Sequence, residues 1–356
     1  MLIPQLATQS RYAGVDSFQN GSAGSQEDCM YLYRPYLING TTILDWELWP
    51  NACICFDIKG DQAAFVTNSN NLVFDLNGHR VLFKPKTQAE GPTGIEVRGR
   101  SGVKIRNGTI QDFQYGISIE SSSDVEIAFT NVLNSTRQGI GIRNSNRVNI
   151  AWNSVSASGY VGIKIDDSSD ISILNNSFSA SGDVGIGVYG DSSDISILNN
   201  TVTGSNREGI HVTGSNYVTV SGNEISNCAY GIWLYNSNNN TIECNTVLNN
   251  QALAINTDKA NNNTIYHNNF PGKEDVVCVE SKNIWDIGYG CGGYGGNYWS
   301  DYTGVDVKSG ANQDQIAPGS DGIGDANYTI DAYNIDRYPL KQPWGSMLSG
   351  VNATWG

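Results

Sequence analysis

The sequence predicts an all-β fold: a right-handed parallel β-helix of about nine to ten coils, each of about 23 residues. Three observations predict it: a tetrad Gly-Ile-x-[Ile/Val/Leu] that returns at nearly constant spacing, two further short apolar runs in every period, and corners rich in Ser, Asn, Asp and Gly. The tetrad occurs at Gly94-Ile95-Glu96-Val97, Gly116-Ile117-Ser118-Ile119, Gly139-Ile140-Gly141-Ile142, Gly162-Ile163-Lys164-Ile165, Gly185-Ile186-Gly187-Val188, Gly209-Ile210-His211-Val212 and Gly231-Ile232-Trp233-Leu234, then in degenerate form at Ala252-Leu253-Ala254-Ile255. Successive starts differ by 22, 23, 23, 23, 24, 22 and 21 residues, which marks a repeat architecture.

The second run follows about nine residues after the tetrad's Gly, as in Val103-x-Ile105, Val125-x-Ile127, Val148-x-Ile150, Ile171-x-Ile173, Ile195-x-Ile197 and Val218-x-Val220. The third follows an Asn, in Asn153-Ser154-Val155, Asn176-Ser177-Phe178, Asn200-Thr201-Val202, Asn223-Glu224-Ile225 and Asn245-Thr246-Val247, with Asn107 and Asn268 in corresponding places. Alternation of period two reads as half-buried strand. Stacked turns pair each strand with its copy one period away, at about 4.8 Å, so the β-branched residues fill a continuous interior. Repeated Asn at one corner can form a ladder of side-chain amides that satisfies buried turn groups. A leucine-rich repeat shares the period and an Asn, but it needs a Leu-rich signature and a helical arc for which three strand signals leave no room.

Solenoid ends need caps. Residues 1–50, with Trp46 and Trp49 and no repeat, read as an N-terminal cap, 51–270 as the parallel β-helix, and 271–356 as a Gly/Tyr/Trp/Asp-rich C-terminal tail. The net charge of −14 opposes nucleic-acid binding, which needs a basic face. No apolar run reaches the ~20 residues that span a bilayer. No signal peptide is visible in Met1-Leu2-Ile3-Pro4 and the polar residues after it, so the expectation is a removed leader or another export route. Seven Cys cannot all pair within one chain; Cys278 with Cys291 is the expected disulfide, Cys29 with Cys53 or Cys55 the next, and Cys228 and Cys244 read as core thiols. Sequons offer glycosylation at Asn20, Asn39, Asn134, Asn239, Asn262 and Asn327, although an Asn/Ser/Thr-rich chain also yields them by chance.

Phe74-Asp75-Leu76-Asn77-Gly78-His79, followed by these coils, resembles the NosD-like family of periplasmic and cell-surface β-helix proteins. The tail is the more specific match, in Asn283-Ile284-Trp285-Asp286, Gly295-Gly296-Asn297-Tyr298-Trp299-Ser300-Asp301-Tyr302, Asp321-Gly322-Ile323-Gly324-Asp325 and Asn334-Ile335-Asp336-Arg337-Tyr338-Pro339-Leu340. The resemblance covers roughly residues 50–340 and implies the pectin-lyase-like fold and an envelope or extracellular location. The name-giving members help mature a copper site. Here His79, His211 and His267 lie more than fifty residues apart, and Cys53-Ile54-Cys55 is the only close thiol pair, so the donors that copper favours are not clustered.

Two candidate sites follow. Asp321 and Asp325 on a Gly-flexed loop, with Asp306, suit a structural Ca²⁺, the one cofactor expected; the plainer reading is solvated turn carboxylates. On the first-strand face, residues between and after the inward Ile and Val point outward. One outward column reads Glu96, Ser118, Gly141, Lys164, Gly187, His211, Trp233, and its neighbour Arg98, Glu120, Arg143, Asp166, Tyr189, Thr213, Tyr235. Tyr189, Trp233 and Tyr235 make an aromatic platform for sugar rings, with Asp166, Lys164 and His211 to bond hydroxyls, unless a tail folds over and buries them. Glu120 and Asp166, two coils and about 9–10 Å apart, stand near the upper limit for an inverting carboxylate pair. Glycosidases of this fold carry acidic and His motifs in a set order that this chain lacks. The expected function is therefore a non-catalytic secreted or cell-surface scaffold that contacts glycans or envelope partners. The alternatives are a polysaccharide lyase or glycoside hydrolase, or a subunit that self-assembles through its stack ends.

Overall fold

A computed structural model describes residues 65–67, 69–83, 92–272, 275–289, 295–316 and 319–345, together with the backbone of short strands between Met30 and Ala64. Among the described residues no α-helix occurs, and parallel strands dominate. The tetrads form one sheet of eleven parallel strands; eight of these, from Thr93–Arg98 to Leu253–Asp258, are the regular turns. Their register sets Ile95, Ile117, Ile140, Ile163, Ile186, Ile210, Ile232 and Ile255 directly over one another, all buried. The second and third runs share a twenty-stranded sheet that turns a corner within each coil. Lys104–Gln111 and Ser123–Leu133 pass through that corner unbroken; from the next coil onward it splits the strand, as in Asn146–Ala151 and Ser154–Ser156. Ile and Val stack well on a pleated surface because their χ1 angles are already restricted, so the column gains burial at little rotamer cost.

Corners leave backbone N–H groups with no strand to pair with, and a buried one must find an acceptor. Asn supplies it. The Asn153 backbone N–H donates to Asn176 Oδ1 at 2.8 Å, Asn176 to Asn200 at 2.9 Å, Asn200 to Asn223 at 2.8 Å, Asn223 to Asn245 at 2.9 Å, Asn245 to Asn268 at 3.0 Å and Asn268 to Asn297 at 3.0 Å. Each Nδ2 reaches back to a carbonyl of the preceding coil, as Asn223 does to Ile197 O at 2.8 Å. A second corner uses Ser122, Ser145, Ser168 and Ser192, each hydroxyl accepting the N–H one coil earlier at 3.1 Å.

The stack runs past Phe270, where the repeats fade in the sequence. Val276–Val279 pairs with Leu253–Asp258, Ile284 bridges Thr264, and Tyr298–Trp299 pairs with Asn269–Phe270. The segment between Trp285 and Asn297 stretches this turn and hides it from a period search. It also begins before residue 51, since Met30–Leu32 pairs with Ala52–Ile54 and Leu44–Leu48 with Ala63–Thr67. The tail then closes the C-terminal end by imitating one more coil. Asn334 Oδ1 accepts from the Asn283 N–H and from Trp285 Nε1, both at 3.0 Å. Asp336 Oδ2 accepts from the Asn297 N–H at 2.7 Å and Trp299 Nε1 at 2.9 Å. Arg337 clamps buried Asp286 through two guanidinium hydrogen bonds, at 2.6 and 2.9 Å, and its backbone N–H at 3.1 Å.

Two predictions follow from this closure. Asn223→Ala removes the acceptor of the Asn200 N–H and the donor to Ile197 O, and at about 1–3 kcal/mol for each buried group left unmade the variant should lose at least about 2 kcal/mol in denaturant unfolding. Exposed Thr201→Ala should stay within about 0.5 kcal/mol of the parent. Burial pushes the Asp336 carboxyl up to about 7, against the N–H donors that favour its charge. The folded state thus holds a proton that the unfolded chain releases, so this group's contribution is greatest below pH 3.8 and falls as pH rises to about 7. Melting temperatures from pH 4 to 8 should therefore show a downward component with rising pH in the parent that Asp336→Asn lacks.

Candidate functional site on the first sheet

The register that stacks the core also lines up the outer face. Lys164, Gly187, His211 and Trp233 form one column, and Asp166 pairs with Tyr189 and Thr213 with Tyr235 in the next. Gly187 decides the shape here: a Cβ at this position would collide with the Tyr189 ring, which lies over the space a side chain would fill. With Tyr189 folded inward, a row of rings runs along the helix axis. Tyr189 meets His211 edge-on at 5.5 Å between centroids, His211 lies 5.8 Å from Trp233, and Trp233 meets Tyr230 edge-on at 5.2 Å. Lys164 Nζ sits 5.3 Å from the Tyr189 centroid and pairs with Asp166 at 2.7 Å.

Tyr235, expected in the platform, stands outside this row and is exposed, while Tyr230 takes the place at its end. Tyr230 occupies the position before the tetrad's Gly, at the strand's entry, and its ring reaches over the sheet to Trp233. The same position one coil earlier holds Glu208, which the sequence reading missed. It is fully buried, and a formal charge in a column that on the other coils carries Thr93, Tyr115, Gln138, Val161, Val184, Tyr230 and Leu253 is the signal that could have found it. Its Oε1 lies 3.1 Å from the Arg207 guanidinium, which also reaches Asp183 at 3.4 Å, and its Oε2 lies 3.8 Å from His211 Nδ1. Neither Glu208 oxygen accepts a hydrogen bond, and Trp233 Nε1 and Asn256 Oδ1, in register on adjacent strands, are also buried without one.

Burial raises the Glu208 pKa. It lowers that of His211, with help from Arg207, to about 4, so the imidazole is neutral at pH 7. His211 Nε2 lies 3.0 Å from Thr213 Oγ1. Burial, then Glu208, raises the Tyr189 phenol well above its ordinary value. The face thus presents uncharged rings and an uncharged imidazole, edged by the Lys164–Asp166 pair and the Asp183–Arg207–Glu208 set.

The other expected site residues lie elsewhere. Asp306 accepts from Ser320 Oγ and from the N–H groups of Asp321 and Gly322 at 2.8–3.1 Å. Asp321 accepts from Gly310 N, Gln313 Nε2 and Ile323 N, and Asp325 from Val307 N and Lys308 N. These carboxylates staple the loop to itself, and among the described residues no group of three or more His, Cys, Asp or Glu gathers to hold a metal ion. Cys278 lies on the last strand of the first sheet, and Cys291 is outside the described residues. The sequon residues Asn134, Asn239, Asn262 and Asn327 are exposed; Asn20 and Asn39 lie outside the described residues.

Parallel coils, inward Ile ladders and corner Asn ladders define a β-helix, and comparison with known proteins agrees. The profile of the family described as right handed beta helix region matches residues 93–205. That of the family described as periplasmic copper-binding protein (NosD) matches residues 190–304, in line with the resemblance read from the coils and tail. No curated protein sequence matches the chain. Among solved structures, the enzymatically active domain of tailspike protein 2 of bacteriophage CBA120 is similar at a TM-score of 0.53 and 13% identity, over 74% of this chain and 47% of that one. ORF18 of Geobacillus virus E2 is similar at 0.55 and 13%, over 80% and 60%. PfbA, a surface adhesin of Streptococcus pneumoniae, is similar at 0.49 and 14%, over 82% and 90%. The chain spans about half the length of the tailspike domain it matches, and identities this low speak to the fold alone. Copper does not fit the described residues: His211 packs on Trp233 and Tyr189, and His267 is stacked on Trp344 at 3.5 Å. The side chains of Cys53 and Cys55 lie outside the described residues.

Proposed function

We propose that this protein is a scaffold of the cell envelope or cell surface that holds a glycan along its first sheet. The observation that carries this reading is the row Tyr189–His211–Trp233–Tyr230, at one ring per coil or closer, on a parallel sheet whose backbone is fixed by the core beneath it. Sugar rings stack on aromatic faces through their C–H groups, and their hydroxyls both donate and accept, which suits Asp166, Lys164 and Asp183 at the margins. A rigid sheet adds to affinity by sparing the ordering cost of a loop-built site. The family that matches residues 190–304, with its periplasmic description, supports the location.

The test is a binding panel of neutral and uronic-acid oligosaccharides, read by calorimetry and by product release. Trp233→Ala should weaken binding about tenfold, equivalent to about 1.4 kcal/mol, within the range of a lost ring contact together with its buried area. No binding by the parent to any member of the panel would overturn the proposal. Turnover abolished by Asp166→Ala or Glu208→Gln would replace it with a polysaccharide-cleaving enzyme on the same face.

A further inference from the structure

A second aromatic display lies away from the first sheet, at the corner between the second and third runs. The residues there are Asn107, Phe129, Trp152, Asn175, Asn199, Gly222, Cys244 and His267, each with positive φ. They follow residues that are paired in register from coil to coil, so they form one column. Asn and Gly tolerate this left-handed conformation, whereas a bulky side chain is an outlier in it. Phe129, at φ 53°, and Trp152, at φ 60°, accept the strain on successive coils, about 4.8 Å apart along the stack. Nor does burial compensate for it. Phe129 is 60% exposed and Trp152 56% exposed, whereas His267 in the same column is buried beneath Trp344.

We propose that Phe129 and Trp152 form a second binding ridge, for a neutral glycan. Strain retained at an exposed side chain points to a role outside the fold. The surroundings define the ligand's chemistry. Ala128 to Asn131, Ala151 to Ser154, Leu174 to Ser177 and Leu198 to Thr201 carry no charge across four coils, the Arg106 charge on the coil before Phe129 is paired with Asp75, and Asn131, Ser177 and Thr201 are exposed beside the ridge to bond hydroxyls. Two aromatic side chains offer about 150–250 Å² each. That falls well short of the roughly 800 Å² per partner of a stable protein interface, but it matches one or two sugar rings. The ridge is independent of Tyr189 and Trp233, so each can fail without the other.

Asn175 and Asn199 adopt the same conformation in the same column, at φ 54° and 53°, which makes Phe129→Asn/Trp152→Asn a replacement the corner already accommodates. The full chain and this double variant are tested by co-sedimentation with cellulose, chitin and mannan, and with alginate as the charged comparison. The parent should bind at least one neutral polymer, the double variant should bind it at least tenfold more weakly while melting no lower than the parent, and Trp233→Ala should leave this binding in place. Equal binding by parent and double variant, no neutral polymer bound by the parent, or ridge-dependent capture of alginate alone would each overturn the inference. So would a dimer in sedimentation velocity that the double variant abolishes, since it would show a second copy of the chain to be the occupant.

Discussion

The structure depends on satisfying the backbone N–H groups at the coil corners. Strand amides find partners in the coil above or below without help, but a corner amide turned toward the interior has none, and leaving it unmade costs more than any single Ile–Ile contact returns. Asn153 to Asn297 solve this at one corner and Ser122 to Ser192 at another, each accepting from the coil before. Because every rung serves two coils, a slip in register would break all of them together. The tail follows the same rule: Asn334 and Asp336 are the rungs of a coil that does not exist, and the two Trp indoles beneath them donate to the same oxygens.

A register fixed from within is also what gives the outer face its meaning. Side chains on the first sheet repeat at the sheet spacing, and one missing Cβ, at Gly187, is enough to lay Tyr189 down and start a row of rings. Glu208 sits beneath that row as a carboxyl held out of water, near a histidine that the same burial keeps neutral. The unpaired indole N–H of Trp233 and amide oxygen of Asn256 on the neighbouring strands lie in the same region.

Much of this was legible in the residues. Spacing alone placed the seven Gly-Ile tetrads in register, but it set the degenerate eighth two residues early, since Ile232 pairs with Ile255 and the coil's tetrad is Ala254-Ile255-Asn256-Thr257; alternation divided inner from outer positions. The Asn column was readable as a ladder because an Asn recurs once per period and its amide can both accept a corner N–H and donate back. Three things were not legible. Alternation assigns a face but not a rotamer, so Tyr235 was read into a platform that Tyr230 joins instead. Glu208 lies at the strand entry, a position the tetrad columns do not include. The last coil was hidden because its ladder residue, Asn297, follows Asn268 by 29 residues, beyond the period, with the stretched turn between them. In the acidic tail loop, carboxylates near glycines look alike in sequence whether they bind a cation or cap backbone N–H groups; the hydrogen bonds accepted by Asp306, Asp321 and Asp325 appear only in the structure.

Amide hydrogen exchange along the corner ladder tests the central claim most directly. The backbone N–H groups of Asn176, Asn200, Asn223 and Asn245 should exchange as slowly as the strand amides of Ile173, Ile197, Val220 and Ile242 beside them, in one cooperative opening. Exchange at these four corners near the rate of an unstructured chain, with the strands still protected, would contradict the account.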